Sequence, residues 1–428
     1  MNMKIKLLFS FFLIIISISK ANQPVSGKIN KEKCGTIRYT DYLKSNSSLL
    51  EQQIIDDENN LQSLLNNSTY SASFNTVYTI PVVVHVVYYT SQQNISDAQI
   101  QSQIDVLNED FGRTNADASN TPMPFLTFAS STNFQFCLAQ RDPNGDPTNG
   151  IERRQTNVQV FQPDNAVKFY NSGGLNAWDV NKYLNIWVCD LGGEILGFAE
   201  SPSSIHSNNF GVVIQYDAFG RTGVVVPPYH RGRTCTHEIS HSFNLDHIWG
   251  DEDLCAGSDN VTDTPNQAEA TYGCHSFPYA EICTQNYPGI MYMNYMDYSD
   301  DDCMNMFTNN QATRMFTSIN AFYPTLLTSN GCLPVGMETI SDFTFKIYPI
   351  PTSGFIDVDL THTKYLGTKT NIRITDVPGK VVYESLLFNP GNYIHRLDLQ
   401  QLHDGIYFVV ISNDRFKKTE KIILNQYD

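Results

Sequence analysis

The chain divides into stretches by how its apolar positions recur. Residues 7–18 form an apolar run, broken only by Ser10 and Ser17, behind Lys4 and Lys6, and Ser19-Lys20-Ala21 follows as a small-x-small cleavage pattern. The run is too short for a bilayer, which takes ~20 residues. It therefore predicts a secretory signal peptide over residues 1–21. Residues 22–75 are polar and rich in Asn, Ser and Gln. They hold one helical stretch from Tyr42 to Leu65, with Leu49, Leu50, Ile54, Ile55, Leu61 and Leu64 on its buried face. The patternless run 66–76 reads as a processing region.

Tyr78 to Tyr88 is nearly continuous in β-branched residues and predicts a buried central strand. His85 within it is read as a satisfied core histidine. Ser96 caps a helix whose apolar Ile100, Ile104, Leu107 and Phe111 recur at helical spacing. Phe134 to Leu138, Tyr183 to Cys189 and Gly211-Val212-Val213-Ile214 predict further strands. Near Leu333-Pro334-Val335-Gly336 the pattern changes to short alternating segments: Phe345 to Tyr348, Ile356 to Leu360, Asn371 to Thr375, Val381 to Glu384, Ile406 to Ser412 and Glu420 to Leu424. Strands of this length separated by turn residues predict a small β-sandwich. A chain of 428 residues holds two or three domains. The pattern places them as a leader over 1–21, a polar segment over 22–75, an α+β domain over 76–334 and the sandwich over 340–428.

The net charge of −16 argues against nucleic acid and anionic membrane surfaces as partners. Nine cysteines in an exported chain imply disulfides and at least one unpaired thiol. Cys255, Cys274, Cys283 and Cys303 lie close together in sequence, and four cysteines allow three pairings.

The densest chemistry lies in Thr-His-Glu-Ile-Ser-His-Ser-Phe-Asn-Leu-Asp-His, residues 236–247. On a helix, His237 and His241 stand one turn apart on one face and reach one Zn²⁺ together. Glu238 is beside the first ligand, free to reach a water. His247 is ten residues past His237, about 80° further round and about 15 Å along a continuous helix. It joins the same ion only if the helix stops and the chain folds back. Asn244 is the predicted stop, since Asn tolerates the left-handed conformation.

His-Glu-x-x-His-x-x-Gly/Asn-x-x-His is the zinc signature of the metzincins. With Asn244 in the Gly position and His247-Ile248-Trp249-Gly250-Asp251 after it, the chain resembles the pappalysin family, in its cytophagalysin and ulilysin branch. Ile-Ser-Asp-Ala-Gln-Ile at 95–100, Leu-Asn-Glu-Asp-Phe at 107–111 and Phe307-Thr308-x-x-Gln311-x-x-Arg314-Met315 also resemble that branch. The resemblance implies an α+β metzincin-like domain, a twisted mixed sheet plus an active-site helix.

It further implies a Met-turn at Asn294-Tyr295-Met296-Asp297-Tyr298, with Met296 beneath the metal and the Tyr298 hydroxyl near an oxyanion. It implies Cys255–Cys283 and Cys274–Cys303 as the disulfides. It implies Ca²⁺ on Glu252, Asp259, Val261 (carbonyl) and Thr264, although an Asx-turn loop with acids facing water has the same sequence. An antiparallel edge strand that binds peptide by main-chain pairing is expected at Gly211–Ile214, which read alone is an ordinary sheet strand. Asp302, directly before Cys303, matches an acid associated with Arg after the scissile bond; alone it is part of a solvated acidic loop. Cys34, in the polar segment, fits a propeptide thiol that occupies the fourth zinc position, or an inert or disulfide-bonded cysteine.

At the other end, Ile347-Tyr348-Pro349-x-Pro351-Thr352-Ser353-Gly354, Gly405-Ile406-Tyr407 and Lys417-Lys418 to Ile422 resemble the C-terminal sorting domain of type IX secretion. Ile350 stands where Asn is usual. The resemblances together imply a secreted or cell-surface zinc endopeptidase acting on proteins or peptides, handled by the type IX machinery. The competing reading is a secreted binding or adhesion protein with a structural zinc, which needs four protein ligands and no carboxylate beside the first histidine.

Overall fold

The structure, a computed structural model, describes residues 33–66, 77–193, 195–252, 254–335, 345–360, 369–377, 379–388, 394–412 and 417–426. The apolar leader and nearly all of the 66–76 run lie outside them.

The polar segment forms two helices, α1 (Thr36–Ser45) and α2 (Leu50–Leu65), where the periodicity predicts one. The Asn46 side chain donates to the Tyr42 carbonyl at 2.7 Å and so ends α1. Asn and Ser side chains compete with helix backbone bonds in this way. The expected apolar face is also corrected. Leu61 is fully buried, but Leu49 and Ile55 are 73% and 50% exposed. The helix docks instead through its acids: Ser203 Oγ and the Ser204 amide donate to Asp57 at 2.7 and 3.1 Å, and Arg314 bridges Glu58.

Next come β1 (Tyr78–Tyr88), α3 (Asp97–Phe111), β2 (Ala129–Ser130), β3 (Phe134–Leu138), β4 (Ile151–Gln155), β5 (Leu184–Cys189), β6 (Gly197–Ala199) and β7 (Gly211–Gln215). They are followed by α4 (Arg233–Ser242), β8 (Phe307–Thr308) and α5 (Asn309–Phe322). β1, β3, β4, β5, β6 and β7 form one mixed sheet in the order β3-β1-β5-β7-β6, with β4 continuing along β1 past β3. Pairings are parallel except β6–β7, which is antiparallel. A β1 whose Ile80, Val82, Val84 and Val86 are all fully buried explains the continuous apolar run. These side chains share a core with Ile104 and Phe111 of α3, Cys235 and Ile239 of α4, and Met315 and Ile319 of α5. His85 is buried within β1 and bridges Glu152 at 2.8 Å and Asn185 at 2.9 Å, the core role expected of it.

Gly211–Ile214 is not an edge strand. β7 has β5 on one side and β6 on the other, and all five of its residues are buried. The antiparallel edge is the three-residue β6.

The C-terminal residues form β9 (Lys346–Tyr348), β10 (Phe355–Asp359), β11 (Lys369–Asp376), β12 (Val381–Phe388), β13 (Ile394–Asp398), β14 (Gly405–Ser412) and β15 (Lys417–Leu424). Two antiparallel sheets result, β13-β10-β9 and β12-β11-β14-β15. Their inward residues, among them Ile356, Val358, Ile372, Ile374, Val409 and Ile411, make one core. That is the β-sandwich arrangement. β13 went unforeseen, because Ile394-His-Arg-Leu-Asp carries little apolar signal.

Cys255–Cys283 and Cys274–Cys303 pair as the resemblance implies, and Cys137 pairs with Cys332 across 195 residues. The last bond ties β3 to the chain beyond α5 and closes the α+β unit on itself. Replacing Cys137 and Cys332 together by Ser is expected to cost about 2–5 kcal/mol of stability. Equilibrium denaturation checks this as a lower midpoint for the α+β unit.

Candidate active site

All ten residues of α4 are buried, so the polar side chains of this helix find their partners inside the protein or go without. His237 and His241 lie on one face as i and i+4, ring centroids 4.7 Å apart. After Ser242 the helix stops, and Asn244 adopts φ 74°, the left-handed conformation predicted for it. The reversal brings His247 back: His241 Nε2 lies 3.1 Å from both His237 Nε2 and His247 Nε2.

These are not hydrogen bonds, because each ring spends its proton elsewhere. His237 Nδ1 donates to the Tyr295 carbonyl and His241 Nδ1 to the Leu245 carbonyl, both at 2.7 Å. His247 Nδ1 faces Asp251 Oδ1 at 2.6 Å. Burial first, then the neighbouring imidazoles, hold His237 well below the usual histidine range and bring His241 down to about 3. Neutral rings protonated on Nδ1 present three Nε2 lone pairs to one point, which is the donor arrangement of a cation site. Cys34 Sγ completes the group, with all four ligand atoms within 4.8 Å of one another. Three imidazoles and a thiolate suit Zn²⁺, a borderline-soft ion that favours tetrahedral N and S donors. Among the described residues this is the one such cluster.

Glu238 is fully enclosed beside this set. One carboxylate oxygen, Oε2, accepts from Thr36 Oγ1 at 3.1 Å and Cys34 Sγ at 3.4 Å; the other, Oε1, is buried without a partner. Burial pushes its carboxyl up to about 8 against those hydrogen bonds. β6 passes close above it. A Cβ at Gly197 would stand 2.7 Å from Glu238 Cγ and 2.9 Å from the Val213 carbonyl, so only glycine fits there.

Residues 33–35 lie on β6 as an added strand. The Leu196 amide donates to the Lys33 carbonyl at 2.9 Å and the Gly35 amide to the Gly197 carbonyl at 2.7 Å, with Cys34 bridged parallel to Gly197. Lys33 is fully buried, and its ammonium donates to the Ser299 carbonyl at 2.8 Å. Burial lowers its pKa, and of the surrounding acids Asp301 opposes this most, ahead of Asp297, Asp300 and Glu238. Asp301 is fully buried, with one oxygen unpaired. The expectation for Asp302 is corrected. Its side chain is 49% exposed and pairs with Arg231 on the surface.

Met296 is fully buried, and its carbonyl accepts from the Ile248 amide at 3.2 Å. The Tyr298 ring lies 5.0 Å from His247 and 5.9 Å from His237, with its hydroxyl donating to the Cys34 carbonyl at 3.4 Å. Of the four calcium candidates, three are gathered. Thr264 Oγ1 reaches both Asp259 oxygens (2.9 and 2.8 Å) and the Val261 carbonyl (2.9 Å), whereas Glu252 is exposed. Sequence reasoning gave no role to Lys33, Thr36 or Asp251, and placed Asp301 only as one acid of the loop expected to border the primed pocket. Only Asp251 had a local signal, four residues after His247.

Two regions of the chain match known families. Residues 173–320 match the peptidase family described as pregnancy-associated plasma protein-A, and residues 346–425 match a secretion system C-terminal sorting domain. A promirolysin mutant of Tannerella forsythia is 47% identical, covering 69% of this chain and 96% of that one, with a TM-score of 0.63. Mature mirolysin of the same organism, in complex with a cleaved peptide, is 51% identical over 59% of this chain and 98% of its own, TM-score 0.57. An extracellular metalloprotease of Arthroderma benhamiae is 28% identical over 259 residues, 59% of this chain and 81% of its own length.

Because Asp251 fixes the His247 ring, Asp251→Ala is expected to weaken zinc binding by about 10–100-fold. Competition against a chromophoric chelator measures this, with circular dichroism reporting the fold.

Proposed function

This chain belongs to the pappalysin family of secreted zinc metallopeptidases, and on that premise we propose how its own residues perform and restrain peptide hydrolysis. The observation that carries the proposal is Glu238, a buried carboxylate with a free oxygen beside three converging imidazoles. His237, His241 and His247 would hold zinc, which supplies Lewis acidity toward the scissile carbonyl and acidifies water. Glu238 orients the attacking water, takes its proton and returns it to the leaving amine. Tyr298 donates its hydroxyl to the oxyanion; the Cys34 carbonyl now engages that hydroxyl. Met296 supports the loop from below. Peptide pairs with β6 through main-chain hydrogen bonds, the mode residues 33–35 already use.

The fourth donor is read as a latency device. Cys34 belongs to the segment 22–75, proposed here as a propeptide behind a signal peptide at 1–21 and ahead of a catalytic domain at 76–334, with the sorting domain at 340–428. Its thiol takes the position that water needs, and Cys34 and Thr36 together occupy Glu238 Oε2. Lys33 supports a preference for Arg or Lys on the primed side: a basic side chain next to the blocking residue is buried with its ammonium on the Ser299 carbonyl, and Asp301 is the acid that favours its charge most. The loop of Asp259, Val261 and Thr264 is proposed as a Ca²⁺ site with Glu252 as a further ligand. The alternative, an adhesion protein with a structural zinc, draws on the apparent N₃S set. Its fourth donor comes from the separate segment, and it gives Glu238 no role.

Glu238→Ala is expected to retain zinc while lowering kcat on a peptide substrate by about 10²–10⁴-fold, and a chelator should abolish wild-type cleavage. Activity surviving either treatment would remove the mechanism. Cys34→Ala should make the precursor cleave substrate before processing; an equally silent precursor would remove the latency role. In a peptide library, Asp301→Asn should reduce the Arg/Lys preference by about 10–100-fold, the loss of one charge-assisted contact. Asp302→Asn should leave the preference intact.

A further inference from the structure

The motif Phe307-Thr308-x-x-Gln311-x-x-Arg314 has no part in the chemistry above, yet its polar side chains are buried. Thr308 and Gln311 close a capping box at the start of α5. A capping box needs no more than this, and Gln311 does more. Its Oε1 accepts from Asn294 Nδ2 at 2.8 Å, and its Nε2 donates to Asn294 Oδ1 at 3.1 Å, a reciprocal amide pair. Asn294 Oδ1 also accepts from the Met296 amide at 2.9 Å, which shapes the turn containing Tyr295.

One turn on, Arg314 lies on the same face of α5. It is 1% exposed. Its Nε donates to the Asn244 carbonyl at 2.7 Å and its Nη2 to Asn244 Oδ1 at 2.6 Å. Glu58 of α2 takes the outer edge at 2.9 and 2.7 Å, and Asp246 stands 3.9 Å away. A glycine at 244 could adopt the same φ but would offer Arg314 one acceptor instead of two.

The two clamp contacts share a relation to the histidines. Gln311 grips Asn294, one residue before the Tyr295 carbonyl that fixes His237. Arg314 grips Asn244, one residue before the Leu245 carbonyl that fixes His241. We propose that Gln311 and Arg314 are positioning residues, a two-point clamp on α5 that holds both carbonyls orienting these imidazoles. The inference rests on the reading of His237, His241 and His247 as zinc ligands. It also explains Asn at position 244: its side chain gives the guanidinium the second contact that fixes the turn's orientation. In the precursor Glu58 completes the coordination of Arg314 and so couples α2 to the same turn.

The test is zinc retention by the full chain, measured as the rate of zinc loss to a chromophoric chelator and as affinity in competition. Arg314→Met and Gln311→Ala are each expected to weaken binding by about tenfold, the lower end for partners behind a ligand. Arg314→Lys keeps the buried charge but has no planar fork, so it should fall between wild type and Arg314→Met. Asn244→Gly should lose several-fold, and adding Arg314→Met to it should cost less than in the wild type. Glu58→Gln should stay within about twofold of wild type, because it leaves Asn244 gripped. If Arg314→Met is unfolded, Arg314→Lys and Asn244→Gly decide the question alone. Wild-type zinc affinity in folded Arg314→Lys and Asn244→Gly would overturn the clamp, as would a loss in Glu58→Gln equal to that in Arg314→Met. His247→Ala serves as the separate control. If it too retains zinc, the ligand reading has failed; if only the clamp variants do, the clamp alone has failed.

Discussion

Three neutral imidazoles whose lone pairs meet at one buried point repel one another, and much of the α+β unit is arranged to hold them there. The rings do not converge because they attract. They converge because each Nδ1 has a fixed acceptor: the Tyr295 carbonyl, the Leu245 carbonyl and the Asp251 carboxylate. Those acceptors come from different loops, so the site needs α4, the turn after it and the Met-turn loop all in register. A cation shared by the three nitrogens would convert this repulsion into binding energy and so couple metal binding to folding. The complete burial of α4 follows, since a solvated helix would let water compete for each of these bonds.

The same constraint bears on the segment 33–45, which packs over the histidines. An open active site leaves polar atoms in need of partners: Glu238 Oε2, the outer edge of β6, the Tyr298 hydroxyl and the acids around Asp301. Thr36 donates to Glu238 Oε2, the Lys33 and Gly35 main chain pairs with the edge at β6, the Cys34 carbonyl accepts from Tyr298, and the Lys33 ammonium reaches the Ser299 carbonyl two residues before Asp301. Buried unsatisfied groups cost about 1–3 kcal/mol each, so the groups that favour substrate also favour this segment. The segment is held by the site's own binding chemistry, and its helices add contacts such as Glu58 with Arg314.

Much of this was legible in local sequence because local rules govern it. The i and i+4 histidines, the left-handed Asn244 and the β-branched β1 each follow from residue type and spacing. The failures share a cause too. The edge role of Gly211–Ile214 rests on the resemblance and chain order alone, and a short β-branched run looks the same in the middle of a sheet as at its rim. The true edge, Gly197–Ala199, is too short to register as a strand and owes its glycine to the approach of Glu238. Asp302 was preferred over Asp301 by position before a cysteine, and one residue along an irregular loop reverses which side chain faces inward. Cys137–Cys332 joins points 195 residues apart, and no spacing rule spans that distance. The role of Arg314 was invisible because its partners, Asn244 and Glu58, come from two other elements.

The cysteines show how one redox environment can serve opposite needs. The stretch from 250 to 306 has almost no regular secondary structure, yet it carries the Met-turn and the acids around Lys33. Two disulfides hold it, which an exported protein can keep oxidised. Cys34, Cys189 and Cys235 remain thiols, and all three are buried. For Cys34 this matters chemically, because a thiol drawn into a disulfide could no longer face the three histidines. Its burial keeps the sulfur away from the partner thiols and disulfides that exchange requires. The chain therefore oxidises the cysteines that brace the irregular loops and keeps reduced, by enclosure alone, the one whose sulfur faces the metal ligands.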